Sequence, residues 1–338
     1  MSTNVIQYLQ HPQIDRVKWD NCMANAPNGL IYGYSFYLDR MAVDWDALVL
    51  NDYEAVMPLP WKKKWGICYL AHPPLTASLG IFGASITEAL TSQFIKAIPA
   101  RFKLVDLLLN RNNFLPSSGI QSMRSNYVLN LERPYETIYN EYRNNVRRNV
   151  KKAQQLNCRY ATDIPLDEII TLARWQIQQQ VTNIGEEDYT HFKELFNYLV
   201  SLGEEGGVAE RNGIELRGYK PRRATAYKPC SAATSGVYTS NNELVASCVW
   251  FYSHGRAYYI LVGNHPNGKT IGASHFLIDR FIHEHVGQEL LLDFEGSDVA
   301  SLAFFYSSFG GVKEVYPALQ FQRLPWWLRW KSKGYPTL

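Results

Sequence analysis

Two carboxylates stand two residues apart late in the chain, Asp293 and Glu295, in the run Leu290-Leu-Leu-Asp-Phe-Glu. On an extended strand residues i and i+2 point the same way. The spacing therefore predicts both acids on one face, with Leu290, Leu292 and Phe294 on the other. Like charges held that close raise one pKa of the pair, which suits a general base working near neutrality. The bland alternative is a carboxylate that caps the following helix or pairs with an arginine.

Upstream, Gly263-Asn-His-Pro-Asn-Gly268-Lys269-Thr270 matches the phosphate-loop pattern G-x-x-x-x-G-K-[ST] and falls between a strand-like and a helix-like segment. A P-loop ATPase needs a parallel sheet with helical crossovers. The strands before Gly263 are joined by tight turns, so that reading fails. What outlasts it is the physics of a glycine-bearing loop entering a helix, with unpaired N–H groups and the positive end of a helix dipole. Gly268, Lys269, Thr270, Ile271, Gly272, Ala273 and Ser274 form this candidate diphosphate cradle. Its small residues would let phosphate approach the backbone; the alternative is a helix start capped by Thr270 or Asn267. A second cationic candidate is a helix beginning near Pro134, with Tyr139, Tyr142, Val146, Val150 and Ala153 on its buried side. Its flanks carry Arg143, Arg147, Arg148, Lys151 and Lys152, of which Arg147, Arg148 and Lys151 are the candidate phosphate contacts. Here the alternative is a solvated basic face.

Composition narrows the chemistry. The chain has 338 residues, 46% of them apolar and 14% aromatic, which excludes wholesale disorder. With 34 basic and 31 acidic residues the net charge is only +3, so affinity for polyanions has to be local. The five scattered cysteines include no C-x-x-C pair, and His283 and His285 lie too close together to share a helix face. No metal site is expected, and a reducing cytoplasm is. No apolar run is long enough to span a membrane, and the N-terminus lacks the pattern of a secretory signal. Trp326, Trp327 and Trp330, with Arg329, Lys331 and Lys333, make an apolar face too short for stable membrane binding. Ser297 has no G-x-S-x-G elbow around it.

The elements that must position these groups recur in a similar order. DALVLN and EAVMPLP read as strands, followed by a basic turn at Lys62–Lys64, the strand WGICYLA, a helix within Ser85–Phe102 and the buried strand LVDLLLN. Later come ELVASCVWFY, a turn at Ser253-His254-Gly255, RAYYILVG, a helix from about Thr270 to His285, and ELLLDF. This suggests a duplicated fold, with one mixed α/β domain as the alternative. Between the halves two more helices are expected, LDEIITLARWQIQQQV and a second ending at Gly203, followed by a surface insertion over 213–236.

At this point the second half resembles the GNAT acyltransferases, whose loop [QR]-x-x-G-x-[GA] holds the diphosphate of acyl-CoA. Here the matching stretch is Lys269-Thr-Ile-Gly272-Ala-Ser274, with Lys in place of Gln or Arg and Ser at the last position. The resemblance implies that Tyr306, in Phe305-Tyr306-Ser-Ser-Phe-Gly310, inherits the role of proton donor to the departing thiolate. Over nearly the full length the chain resembles tandem-GNAT proteins related to the Fem peptidyltransferases, through PLPWKKKWGICYLAHPPLT, RNNVRRNVKKA, LLLDFEGS and YPALQFQRLPWWLRWK. The helical-hairpin arm that Fem aminoacyl ligases often carry has no counterpart in the sequence. The resemblance implies an α+β fold of two GNAT-like domains, with mixed, mostly antiparallel sheets flanked by helices. The first would span 1–133, with the segment from about 320 to 338 packing back on it, and the second, donor-binding, 134–319. It further implies acyl transfer from acyl-CoA to an amine, such as a small molecule or a peptidoglycan precursor. The alternatives are a Fem-type peptidyltransferase using aminoacyl-tRNA, which alone would bring in nucleic acid, and a non-catalytic binding module.

Overall fold

The computed structural model describes residues 5–115, 121–177, 184–212, 230–296 and 298–326. The chain divides into two compact units, residues 1–125 with 314–338, and residues 126–313.

In the first unit β1 (Ile6–Leu9), α1 (Arg16–Asn25) and α2 (Ser35–Met41) precede β2 (Asp44–Leu50), β3 (Ala55–Lys64), β4 (Ile67–Ala71) and the short β5 (Phe82–Gly83). Then come α3 (Glu88–Ala97) and β6 (Phe102–Leu108). Asp15 caps α1 by accepting from the N–H groups of Val17 and Lys18, and Thr87 caps α3 by accepting from Leu90 N–H. Helix α3 buries Leu90 and Phe94, four residues apart, in a core that includes Leu48, Met57, Leu59, Phe102 and Leu107. The strand order is β1-β2-β3-β4-β6, closed by β13 (Val312–Gln322), which returns late in the chain to pair with β6. Every neighbouring pair is antiparallel except β4 and β6, which the α3 crossover makes parallel.

The second unit takes its outer strand from β7 (Gln121–Asn130). It continues through α4 (Tyr135–Glu141), α5 (Asn144–Gln155), β8 (Arg159–Thr162), α6 (Leu166–Ile177) and α7 (Glu186–Asn212). Next are β9 (Ser231–Tyr238), β10 (Leu244–Ser253), β11 (Arg256–Asn264), α8 (Pro266–Ile271) and α9 (Ala273–His285). Last are β12 (Leu291–Asp293) and α10 (Ala300–Ser307). Its order, β8-β9-β10-β11-β12-β7, repeats the pairing pattern of the first unit. Only β11 and β12 are parallel, here with α8 and α9 in the crossover. The equivalent hairpins, β3–β4 and β10–β11, both turn through two residues of positive φ, Trp65-Gly66 and His254-Gly255. The core is centred on Trp250, whose ring stacks on Phe281 of α9 at 3.7 Å between centroids and whose indole N–H donates to Ser235 Oγ.

Several local readings change once partners are in place. Lys62–Lys64 belong to β3, and the turn falls one residue later, because the β4 register pairs Lys64 with Ile67. The helix expected from Pro134 breaks at Tyr142 and Arg143, where the Arg143 N–H donates to Ser308 O instead of to the helix. Gly203 does not end its helix. It lies inside α7, where a Cβ would come within 3.1 Å of Ser231 Cβ, so its small size serves a close approach to β9. Of the expected insertion, 213–229 falls outside the described residues. Residues 231–236 are strand, made of Ser, Ala, Thr and Gly without hydrophobic alternation, yet paired to β10 on one side. The boundaries between units fall inside β7 and β13, upstream of the expected 133 and 319. Among the described residues no helix is long and apolar enough to cross a membrane.

Phe281→Ala removes the stacking partner of Trp250 and should cost roughly 3–5 kcal/mol. A lowered urea midpoint with an unchanged m-value is the expected result.

Candidate active site

The parallel pair β11–β12 is short. It holds only from Arg256 opposite Leu291 to Tyr258 opposite Asp293, after which β11 runs on to Asn264 and its partner strand stops. The cause of the stop is Asp293. Its carboxylate is buried and accepts from the Arg256 guanidinium at 2.6 Å and from the Asn126 side-chain amide at 2.8 Å. The same Oδ1 also accepts from the backbone N–H of Glu295 at 3.0 Å. A side chain bonding the N–H two residues on is the Asx-turn pattern. It carries Glu295 into left-handed backbone, φ 65, followed by Gly296 at φ 79. For a residue with a Cβ that conformation costs about 1–2 kcal/mol.

The two acids therefore do not form the same-face pair that the spacing predicts. The strand ends at the first, the chain turns, and they divide the work. Asp293 is consumed in structure, as the arginine-paired alternative foresaw. Glu295 is half-buried and follows just after the end of β12, where β11 runs on without it. Tyr306 of α10 and Cys248 of β10 interact with it, and Tyr259 of β11 stands beside those two. The Tyr306 ring stacks on Phe294 at 4.8 Å. Burial raises its hydroxyl pKa first, and the neighbouring Glu295 and Cys248 raise it further. Burial likewise pushes Tyr259 and Cys248 well up. All three stay protonated at neutral pH.

The cradle residues take other positions than a loop would give them. Gly268, Lys269, Thr270 and Ile271 lie in α8, Gly272 is the break at φ 82, and Ala273 and Ser274 open α9. Neither glycine leaves an open hollow. A Cβ on Gly268 would sit 2.2 Å from Val245 O, and one on Gly272 would sit 2.6 Å from Asn149 O, so β10 and α5 occupy those faces. Thr270 Oγ donates to Asn267 O, and Ser274 Oγ donates to Asn264 Oδ1. What remains for an anion is the first turn of α9 and a rim of ammonium and guanidinium groups. Lys269 is exposed, and Lys152 of α5 donates to Thr270 O at 2.8 Å. Arg148 and Lys151, three residues apart on the same face of α5, are exposed. Arg147 does not join them, since its guanidinium donates to the carbonyls of Tyr139 and Asn140 and ties α5 to the end of α4.

His275, in the first turn of α9, went unnoticed in the sequence. It is packed by the rings of Phe305 and Phe309 and lies 3.4 Å from the Asn149 side-chain amide. Burial pulls its pKa down to about 4, and a position at a helix N-terminus acts in the same sense. The only sequence signal was its place three residues after Gly272; its aromatic surround comes from α10 and the segment after it. Among the described residues no group of three or more His, Cys, Asp or Glu side chains could hold a metal ion.

No protein-family model matches the chain, and no curated protein matches it in sequence. Among solved structures, FemX aligns with a TM-score of 0.54 at 10% identity, covering 92% of this chain and 96% of FemX. A conserved protein of unknown function from Bacteroides thetaiotaomicron VPI-5482 aligns with a TM-score of 0.55 at 13% identity. That alignment covers 94% of this chain and 100% of the other. The chain thus has a Fem-related α+β fold, in agreement with the sequence resemblance; at these identities the likeness is one of fold.

Two outcomes follow from the site's geometry. Asp293→Ala removes the buried carboxylate to which Arg256, Asn126 and the Glu295 N–H all donate and should lower stability by roughly 3–5 kcal/mol, read by urea unfolding. On acidification the unfolded chain binds protons at ordinary histidine positions while His275 resists until about 4. Stability should therefore fall as pH drops from about 6.5 towards 4 and be unaffected by this group above that window. His275→Gln should flatten part of that acid limb, and His72, which burial also holds near 4, accounts for another part.

Proposed function

We propose that the second unit is a GNAT-like acyltransferase domain, the first unit a second copy of the same fold, and the reaction acyl transfer from acyl-CoA to a primary amine. The observation that carries the reading is the parting of β11 and β12 beside Glu295 and Tyr306. A parallel pair that separates leaves one strand edge available to a ligand, and here it opens beside a carboxylate held in strained backbone.

In this reading the acceptor's amine attacks the thioester carbonyl, the C–N bond forms, and the C–S bond breaks through a tetrahedral intermediate. Glu295 takes the proton that the amine must lose. N–H groups on the β11 edge beyond Tyr258 stabilise the oxyanion. Tyr306 faces a limit set by its own environment. A phenol held above its ordinary value of about 10 is a weaker acid than a thiol near 8.5. Its part is to donate a hydrogen bond to the developing thiolate rather than to surrender the proton outright. The donor's phosphates rest at the first turn of α9 against Lys269, Lys152, Arg148 and Lys151, outside the filled glycine faces. Asp293 acts through Glu295 as a positioning residue.

Acetyl-CoA should raise the melting temperature, and amines should promote release of free thiol from it. Glu295→Gln should lower that release by on the order of a hundredfold, and Tyr306→Phe by a comparable factor or somewhat less, both with the thermal shift retained. A flat melting response together with no thiol release would sink the reading and leave the non-catalytic binding module in its place.

The exposed cations of α5 and the likeness to FemX favour one second reading, with aminoacyl-tRNA as donor. It requires tRNA binding that weakens steeply with salt, with a slope reduced by about one for each phosphate-contacting cation removed from Arg148 or Lys151.

A further inference from the structure

The β3–β4 hairpin breaks a local rule. Both of its turn residues have positive φ, 52 at Trp65 and 79 at Gly66. Asn-Gly is the favoured pair for such a turn, and a bulky side chain at the first position is an outlier. The Trp65 indole is 82% exposed, so burial offsets little of that cost.

Topology brings further residues of the same kind to this end of the first unit's sheet. Strand β2 begins here, since Asp44 pairs with Trp61, and Val43 just before it is 68% exposed. Strand β6 begins here as well, with Phe102 opposite Cys68. Strand β13 ends here, with Gln322 opposite Leu104, and Trp326 four residues on is 81% exposed. Among the described residues these two indoles are the most exposed large apolar side chains. The charge around them has one dominant sign. Lys62, Lys63 and Lys64 close β3, with the Lys64 ammonium 4.9 Å from the Trp65 ring, and Lys103 opens β6. Arg101 is held by Asp46 at 2.8 Å, so those two charges cancel, and Asp44 is the exposed acid at this edge.

Lysines alone would suit any polyanion. Exposed valine and tryptophan suit a partner that also offers an apolar layer within reach of anionic groups. A bilayer interface does both, since indoles settle at headgroup level and lysines gain from anionic lipid. We infer that this end of the sheet docks reversibly on an anionic membrane surface, with Trp65 and Trp326 at the headgroup–acyl boundary and Lys62, Lys63, Lys64 and Lys103 over the headgroups. The inference is independent of the acyltransferase reading, because none of these residues belongs to the proposed site.

The test is sedimentation with vesicles of phosphatidylcholine alone and of an equimolar mixture with phosphatidylglycerol. The full chain should pellet with the mixed vesicles, release as salt is raised, and stay in solution with phosphatidylcholine. Replacing Lys62, Lys63 and Lys64 together by Gln should lower partitioning by about a hundredfold, at roughly fivefold for each lysine. Trp65→Asn is the sharper variant. It installs the favoured Asn-Gly turn, so the melting temperature should hold or rise while vesicle binding falls roughly tenfold or more. Lipids brominated on the acyl chain should quench indole fluorescence in the parent chain, and less in Trp65→Asn. Equal recovery with both vesicle types, or mixed-vesicle binding untouched by Trp65→Asn, would overturn the inference. So would tRNA binding that the triple lysine variant abolishes while vesicle binding persists, which would assign the patch to nucleic acid.

Discussion

The buried ion pair between Asp293 and Arg256 sets the conditions for everything around it. Taking both charges out of water is costly, and the cost is met only because the carboxylate receives three donors, from Arg256, Asn126 and the Glu295 backbone. The third donor has the structural consequence. By drawing the Glu295 N–H back onto itself, Asp293 ends β12, turns the chain into left-handed backbone and leaves β11 to continue alone. A carboxylate spent on architecture thereby sets the backbone of the next one.

The first unit shows the same position without that turn. In β6 the run Leu104-Val-Asp106 matches Leu291-Leu-Asp293 of β12, and Asp106 likewise accepts from a neighbouring strand's amide, that of Gln320 on β13, at 3.0 Å. There the strand goes on through Leu107 and Leu108, and Leu109 bridges to Leu79. Both units thus carry an aspartate at the end of their parallel pair, and only the second follows it with Phe-Glu-Gly. The equivalent hairpins differ in the same manner, His254-Gly255 in one and Trp65-Gly66 in the other. Each unit keeps the backbone solution and spends the exposed position differently.

The glycines around α8 and α9 illustrate a second constraint. Small residues near a helix start admit two explanations, room for a ligand or room for the protein's own backbone. Here Val245 and Asn149 fill the space, and packing of α5 across the start of α9 accounts for Gly272. An anionic ligand is left to recognition by the helix terminus and by lysines. That is a more open and more salt-sensitive arrangement than a closed nest.

The apolar runs ELVASCVWFY and RAYYILVG, the helical spacing of Leu90 and Phe94, and the tight turns were enough to identify strands and helices and to reject the P-loop ATPase suggested by Gly263–Thr270. These signals lie within a few residues, where periodicity and turn chemistry act. The sequence also singled out Glu295, Tyr306 and the basic face of α5. It could not say that Asp293 and Glu295 would part company, because that depends on Asn126 and Arg256, distant in sequence and brought to Asp293 by strand pairing. Nor could it reveal His275, whose surround comes from α10 and the segment after it, or show that the units meet their boundaries inside β7 and β13. Local pattern determined which segments are strands and helices; the choice of partner across the sheet decided which side chains are buried, which are spent, and which remain available for chemistry.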